Sequence, residues 1–299
     1  MVQPKLRFPQ YTNEWKKCSL ASIIVDKPKN GFSPEPVNYK TAFPVLSISA
    51  ITTGTFRGEY CKYTDCNIDK NAHCWVKNED ILIQRSNTAE FVGVSAIYEG
   101  EDNKYIYPDL LMKVHAKNGI NSKFLSCYLI TPNIRQYYKK NACGTSGNMP
   151  KINQKTVLST PLYITDLEEQ NRIADLMSRI DKRIENQRLI IEDWEIKKKG
   201  IIQKLFKQEV KFKQENGNAY PQWKSAKLSE LLSERKKKAI KDGSYEHVSL
   251  TKEGVVPKTA QYNRDFLVMS DDKEYKITKM NDICYNPANL KFGVICRNT

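Results

Sequence analysis

The chain has 299 residues and carries 48 Lys and Arg against 34 Asp and Glu, a formal net charge of +14. That length allows about two domains, each with its own core, and the basic surplus favours a polyanionic partner, nucleic acid before membrane. No apolar run reaches the ~18 residues that cross a bilayer. The opening MVQPKLRFPQ holds no apolar signal core. A cytoplasmic protein with no membrane partner is therefore expected, its eight cysteines reduced and free of a disulfide framework.

From residue 1 to 164 short apolar, β-rich runs alternate with turn signals. Residues 43–51 (FPVLSISAI) and 80–83 (DILI) read as strands, and Thr53-Gly54, Arg57-Gly58 and Glu99-Gly100 as turns. Residues 122–138 read as helical, with Phe124, Leu125, Tyr128 and Leu129 on one face and Pro132 as a break. There is no βαβ rhythm. The expected fold class is α+β: a mixed domain over 1–164, a long coiled-coil helix over 165–206, a linker over 207–219, and an incomplete second copy of the domain over 220–299.

Between Leu110 and Thr165 there is no Asp or Glu, yet there are eight Lys and Arg: Lys113, Lys117, Lys123, Arg135, Lys139, Lys140, Lys151 and Lys155. Phe124, Tyr128, Tyr137 and Tyr138 are interleaved with them. Lysines neutralise phosphates, while short polar side chains fix register on a duplex. Lys113, Lys139, Lys140, Lys151 and Lys155, with Thr145, Ser146 and Asn148 of the loop 144–148, are therefore the expected DNA contacts. A solvated basic face with its tyrosines in the core is the alternative. A second candidate surface, Gln84, Arg85, Ser86 and Asn87, follows a predicted strand. Arg85 suits guanine, and Gln84 or Asn87 suits adenine. An ordinary surface turn is the competing reading there.

No catalytic constellation is found. Pro108-Asp109 opens like a metal-dependent nuclease motif, but the acid-free stretch removes its second carboxylate. Asn286-Pro287-Ala288-Asn289 matches an amino-methyltransferase signature only in its first two residues, and no GxxxxGK[ST] phosphate loop occurs. Cys61, Cys66, His73 and Cys74 have loose spacing and lack the intervening residues of a zinc knuckle. No metal and no cofactor are expected.

The stretch 165–206 carries the clearest periodicity. Steps of four and three from Ile173 reach Met177, Ile180, Ile184, Gln187, Ile191, Trp194, Lys198, Ile201 and Leu205. All but Gln187 and Lys198 are apolar, the seam of a coiled-coil strand. About 40 residues make a rod of roughly 60 Å, which needs a partner helix. Thr165 and Glu168 predict a capping box, with Pro161 stopping regular structure just before it. The seam residues Ile173, Met177, Ile180, Ile184, Ile191, Trp194, Ile201 and Leu205 are the expected partner-binding set.

After Asn216-Gly217-Asn218 the chain begins again. Phe8-Pro9-Gln10 with Trp15 returns as Tyr220-Pro221-Gln222-Trp223, Leu46-Ser47-Ile48 as Val248-Ser249-Leu250, and Asp80-Ile81 as Asp282-Ile283. Phe91-Val92-Gly93-Val94 returns as Phe292-Gly293-Val294-Ile295. This is a diverged tandem repeat. Its second copy ends early, and a truncated product or fragment is the expectation.

The opening Pro4 to Gln10 with Trp15, its echo at residues 220–223, the loop GTSGNMPKIN over 144–153 and Leu167-Glu168-Glu169-Gln170 entering the long helix together resemble the specificity subunit of type I restriction–modification enzymes. The resemblance implies two target-recognition domains that each read half of a split double-stranded DNA sequence. It also implies long helices that pair antiparallel as spacer and as platform for methyltransferase subunits, and through them restriction subunits. Cutting and methylation would belong to those subunits, so this chain would be non-catalytic. The seam also suits a homodimer through the long helix. The rival expectations are the recognition part of a fused restriction–modification enzyme, and a coiled-coil adaptor that binds RNA or an acidic protein.

Overall fold

The structure, a computed structural model, describes residues 4, 6–144, 149–240, 244–252, 254–257 and 274–299, and divides into two units, Met1–Phe206 and Lys207–Thr299. The first unit runs through strand β1 (Lys16–Ser19), the single turn α1 (Leu20–Ile23), β2 (Lys29–Asn30), β3 (Phe43–Leu46) and β4 (Cys61–Thr64). It continues into β5 (Ile81–Gln84), β6 (Ser95–Ile97) and β7 (Leu111–Val114), then α2 (Ser122–Leu129), α3 (Pro132–Asn141) and α4 (Gln154–Leu158). Strand β8 (Pro161–Ile164) leads into the long helix α5 (Leu167–Phe206).

The central sheet has the order β2-β7-β5-β6, and its neighbours are antiparallel. Strand β5, Ile-Leu-Ile-Gln, is buried at every position because the sheet is covered on both faces. Ile81 and Ile83 join a cluster with Met112, Val114, Leu125, Leu129, Ile134 and Tyr138. Leu82 points the other way, into a cluster with Leu46, Trp75, Tyr98, Ile106, Tyr107 and Leu111. A one-residue slip would exchange the two faces, so the register is strongly specified.

Three local readings are corrected. The strand expected over 43–51 ends at Leu46, and a 3-10 turn, Ile48–Ala50, follows; the turn buries Ala50 and Ile51 in the second cluster. Pro132 does separate two helices, but as the first residue of α3, where its missing N–H costs nothing. Pro161 opens β8, which pairs with β1 in the register Ser19↔Pro161 to Lys16↔Ile164. Proline is tolerated at the first position of such an edge strand.

The β1–β8 pair brings the start of the unit beside the root of α5. The capping box expected from Thr165 and Glu168 is replaced by a shifted arrangement. Asp166 takes the cap position, its carbonyl accepting from Gln170 N at 3.1 Å. The Thr165 hydroxyl donates to Glu169, which also receives two bonds of 2.7 Å from the Arg7 guanidinium. Glu168 instead accepts from the Tyr11 hydroxyl at 3.2 Å. Helix α2 lies along the first turns: Asn121 N donates to Gln170 Oε1, Asn121 Nδ2 donates to Asn171 Oδ1, and Lys123 sits 3.5 Å from Asp181. Beyond that point α5 leaves its own domain, and every residue from 181 to 199 is exposed.

The second unit contains the turn α6 (Leu228–Leu231), β9 (Lys238–Ala239), β10 (Val248–Leu250), β11 (Val255–Pro257), β12 (Tyr275–Lys276), β13 (Ile283–Tyr285) and β14 (Ile295–Arg297). The repeat is visible bond by bond. In the first unit Tyr98 N donates to Asp80 O, Glu79 N to Tyr98 O, Lys77 N to Asp80 Oδ2 and Gln84 N to Val94 O. In the second, Asn298 N donates to Asp282 O, Asn281 N to Asn298 O, Lys279 N to Asp282 Oδ2 and Asn286 N to Val294 O. The left-handed residues also coincide, Glu79 (φ 65) with Asn281 (φ 71) and Gly93 (φ 74) with Gly293 (φ 78). The glycines, rather than the neighbouring phenylalanines, are therefore the positions in register.

Candidate nucleic-acid interface

The fold sorts the eight cations of the acid-free stretch into two groups. Lys113 donates to Trp75 O at 2.7 Å and lies 3.1 Å from the buried Asp80 carboxylate, with the Tyr107 ring beneath its ammonium. Lys117 donates to Ser22 O, Lys123 is flanked by Glu99 and Asp181, and the Arg135 guanidinium donates to Val92 O and Glu90 O. These four hold the domain together, which corrects the expectation that Lys113 contacts phosphate. Lys139, Lys140, Lys151 and Lys155 are exposed and have no partner among the described residues. Lys139 and Lys140 stand in the last turn of α3, where the helix dipole also favours cations. The interleaved aromatics belong to the core: Phe124 and Tyr138 are buried, and Tyr138 accepts a bond from Thr160 Oγ1 at 2.9 Å. Burial pushes the Tyr138 phenol well above its ordinary range.

The segment after β5 is the larger correction. Gln84 is fully buried; its Nε2 donates to Ile48 O and Thr52 Oγ1, each at 3.0 Å, and its Oε1 accepts from Asn87 Nδ2 at 2.7 Å. Asn87 and Ser86 are buried too. With their polar atoms spent inside the protein, Gln84 and Asn87 cannot offer an amide edge to adenine, and Ser86 is shielded from a duplex. Arg85 alone of the four stays half-exposed. Its backbone is held from both sides, Arg85 N donating to Leu110 O at 2.8 Å and Ile152 N donating to Arg85 O at 2.9 Å.

The same ladder assembles the site. Cys143 and Lys151 exchange two backbone bonds of 2.8 and 2.9 Å, and Ser86 bridges to Lys151. The base of the loop that begins at Gly144 therefore lies beside Arg85. Thr145, Ser146 and Asn148 of that loop lie outside the described residues. Arg85 opens into a cleft of about 490 Å³ whose other walls are Pro28, Lys29, Asn30, His73, Met112, Asn153 and Gln154. Sequence reading missed this cleft because its walls come from five separated segments with no common motif. The one local signal is Asn153, whose Oδ1 caps α4 through Thr156 N at 2.8 Å.

The partner-binding seam divides as well. Ile173 and Met177 are half-covered near the root of α5, and Leu205 is half-covered near its end. Ile180 (45 %), Ile184 (56 %), Ile191 (59 %), Trp194 (64 %) and Ile201 (56 %) stand exposed in line. Such a stripe on a free helix is an association surface. Among the described residues no three His, Cys, Asp or Glu side chains converge as a metal site, and no helix is long and apolar enough to cross a membrane. Of the four side chains weighed as zinc ligands, His73 is 3.0 Å from Asn30 O and Cys74 is buried in the second cluster.

Residues 13–193 match the family described as the type I restriction modification DNA specificity domain. A putative type I restriction enzyme MjaX specificity subunit from Methanocaldococcus jannaschii is 26% identical over 317 aligned positions, covering 97% of this chain and 72% of that one. The type I restriction enzyme EcoEI specificity subunit from Escherichia coli is 23% identical over 188 positions, covering 58% of this chain and 32% of its own length. Among solved structures, the S subunit of a type I restriction-modification system from M. genitalium superposes with a TM-score of 0.50 at 17% identity, over 69% of this chain and 49% of that one. That likeness speaks for the α+β fold with its long helix. The present chain spans about half the length of that structure.

Proposed function

The chain belongs to the type I restriction modification DNA specificity family, and we propose that it is the non-catalytic subunit that directs methyltransferase, and through it restriction, subunits to a bipartite double-stranded target. The observation that carries this reading is the sorting of charge. Of eight cations in an acid-free stretch, four are engaged by the fold, while Lys139, Lys140, Lys151 and Lys155 are exposed and without a partner among the described residues; Lys151 bridges to Ser86, next to Arg85, and Lys155 follows the cleft residue Gln154. A surface of free lysines beside a recessed arginine suits phosphates flanking a base edge.

On this reading Met1–Phe206 holds one recognition domain with its spacer helix, and the repeated hairpin of the second unit belongs to another. The exposed stripe from Ile180 to Ile201 is the docking face for methyltransferase subunits, and it also suits a second copy of α5 lying antiparallel. Such a protein would work in the cytoplasm, where it can reach its DNA.

The test is competition at fixed salt between duplex DNA and duplex RNA of the same sequence, followed by incubation with Mg2+, ATP and S-adenosylmethionine. The expected result is preference for DNA and neither cleavage nor methyl transfer by the chain alone. Equal binding to RNA, or cofactor-dependent chemistry that survives stringent purification, would refute the proposal.

A further inference from the structure

Arg85 is placed as a reading head is placed. Its main chain is pinned by Leu110 on one side and Ile152 on the other, so the origin of its side chain is fixed before any ligand arrives. Among the described residues its guanidinium has no hydrogen-bond or ion-pair partner, and no carboxylate lines the cleft it enters. The rim is stiff: Gln154 Nε2 is held by Pro28 O at 2.6 Å, His73 Nε2 sits 3.0 Å from Asn30 O, and the Asn153 oxygen is committed to the α4 cap. Five N–H donors in a planar fork, charged and half-withdrawn from solvent, lack an acceptor.

The tandem repeat supplies an independent observation. The shared hairpin bonds make Asn286 the equivalent of Gln84, so the next residue, Pro287, occupies in the second unit the position that Arg85 has in the first. The hairpin forms with a proline at that position, so its pairing does not require a guanidinium there. A charged group that the architecture can omit, held rigidly and left unpaired, is a recognition element.

Two acceptors suit it, a phosphate or the O6/N7 edge of guanine. Phosphates are met by protruding side chains, a task already open to the exposed lysines. The recessed planar fork instead matches the two guanine acceptors in the major groove. We propose that Arg85 is a specificity-determining residue of the first unit, reading one guanine of the target from within this cleft. The proposal rests on the DNA-recognition reading above.

Selection from a randomised duplex library is carried out with the full chain and with Arg85→Ala and Arg85→Lys. The unchanged chain should select a sequence containing a guanine whose identity, at that position alone, is lost in Arg85→Ala. Discrimination there should fall about ten- to a hundredfold, with binding to unrelated duplexes and the remaining positions unaffected. Arg85→Lys, which keeps the charge and most of the stem but not the fork, should also lose the preference, and it serves as the test if the alanine variant does not fold. Replacing that guanine by 7-deazaguanine should weaken the unchanged chain and leave Arg85→Ala indifferent. A uniform loss on all sequences with a salt slope lower by about 0.9 would mean a phosphate contact and overturn the proposal, as would an unchanged selected sequence. Failure of the unchanged chain to bind any duplex would instead sink the broader functional reading.

Discussion

Alanine substitution of the acid-free stretch should split its cations into two classes by salt dependence. Lys139, Lys140, Lys151 and Lys155 are exposed and have no partner among the described residues, so each is free to displace counterions from a phosphate. One such contact contributes about 0.9 to the slope of log K against log salt, equivalent to about 3.5-fold in affinity between 50 and 200 mM. The four together account for a slope of about 3.6, or roughly 150-fold over the same range. Lys113 behaves differently because its ammonium is spent on Trp75 O and on Asp80, whose side chain is only 2 % exposed. Lys113→Ala should leave the slope unchanged and cost about 2 kcal/mol of stability, since it strips a partner from a buried carboxylate. Fluorescence anisotropy on a labelled duplex at four salt concentrations, paired with urea unfolding of each variant, measures both quantities. Unchanged slopes in all four lysine variants, or a lowered slope in a correctly folded Lys113→Ala, would refute the assignment.

Ile180→Asp with Ile184→Asp should abolish self-association through α5 in sedimentation at micromolar concentration, while unfolding of the first domain shifts by less than about 0.5 kcal/mol; an unmutated chain that is already monomeric there would remove self-pairing from the proposal. At Glu169 burial pushes the carboxyl pKa up, but the bonds from Arg7 and Thr165 and the Arg7 charge outweigh it and hold the pKa below its ordinary value of 4.5. A depressed carboxylate stabilises the fold above that value and loses its contribution as pH falls through the lowered pKa. Glu169→Gln should therefore flatten the stability profile below about pH 4.5 in urea melts, and a profile as steep as before would exclude Arg7–Glu169 as the root clamp. Gly93 and Gly293 share a left-handed conformation, yet a Cβ at Gly93 would meet Tyr138 at 2.6 Å while one at Gly293 meets open space. Gly93→Ala should cost about 3 kcal/mol and Gly293→Ala about 1 kcal/mol in unfolding experiments, the difference being overpacking; equal losses would contradict the packing at Tyr138.

The parts of this protein that were legible in its sequence are those governed by local periodicity or by direct repetition. The α5 seam could be stepped out because 3.5-residue spacing is itself the geometry of a helix that buries one stripe. The repeat survived divergence because Asp282 and Asn286 still make the bonds of Asp80 and Gln84, and Gly293 keeps the left-handed conformation of Gly93. The acid-free stretch marked the basic face without saying which lysines form it.

What a polar side chain does was settled only by contacts distant in the chain. Gln84 reads as a surface amide until the turn at residues 48–52 closes over it and takes its hydrogens. Lys113 reads as a phosphate ligand until Asp80, the residue just before the neighbouring strand β5, claims it. Arg85 differs from Gln84 by a single position, and alternation across β5 sends no signal beyond the strand's end about which of them will be left unpaired. Sequence alone therefore determined the long helix, the repeated hairpin and the basic character of the first unit, since each is carried by spacing or composition. Tertiary structure decided which polar groups are engaged by the fold, because hydrogen-bond satisfaction depends on residues as far as 32 and 126 positions apart brought together by folding.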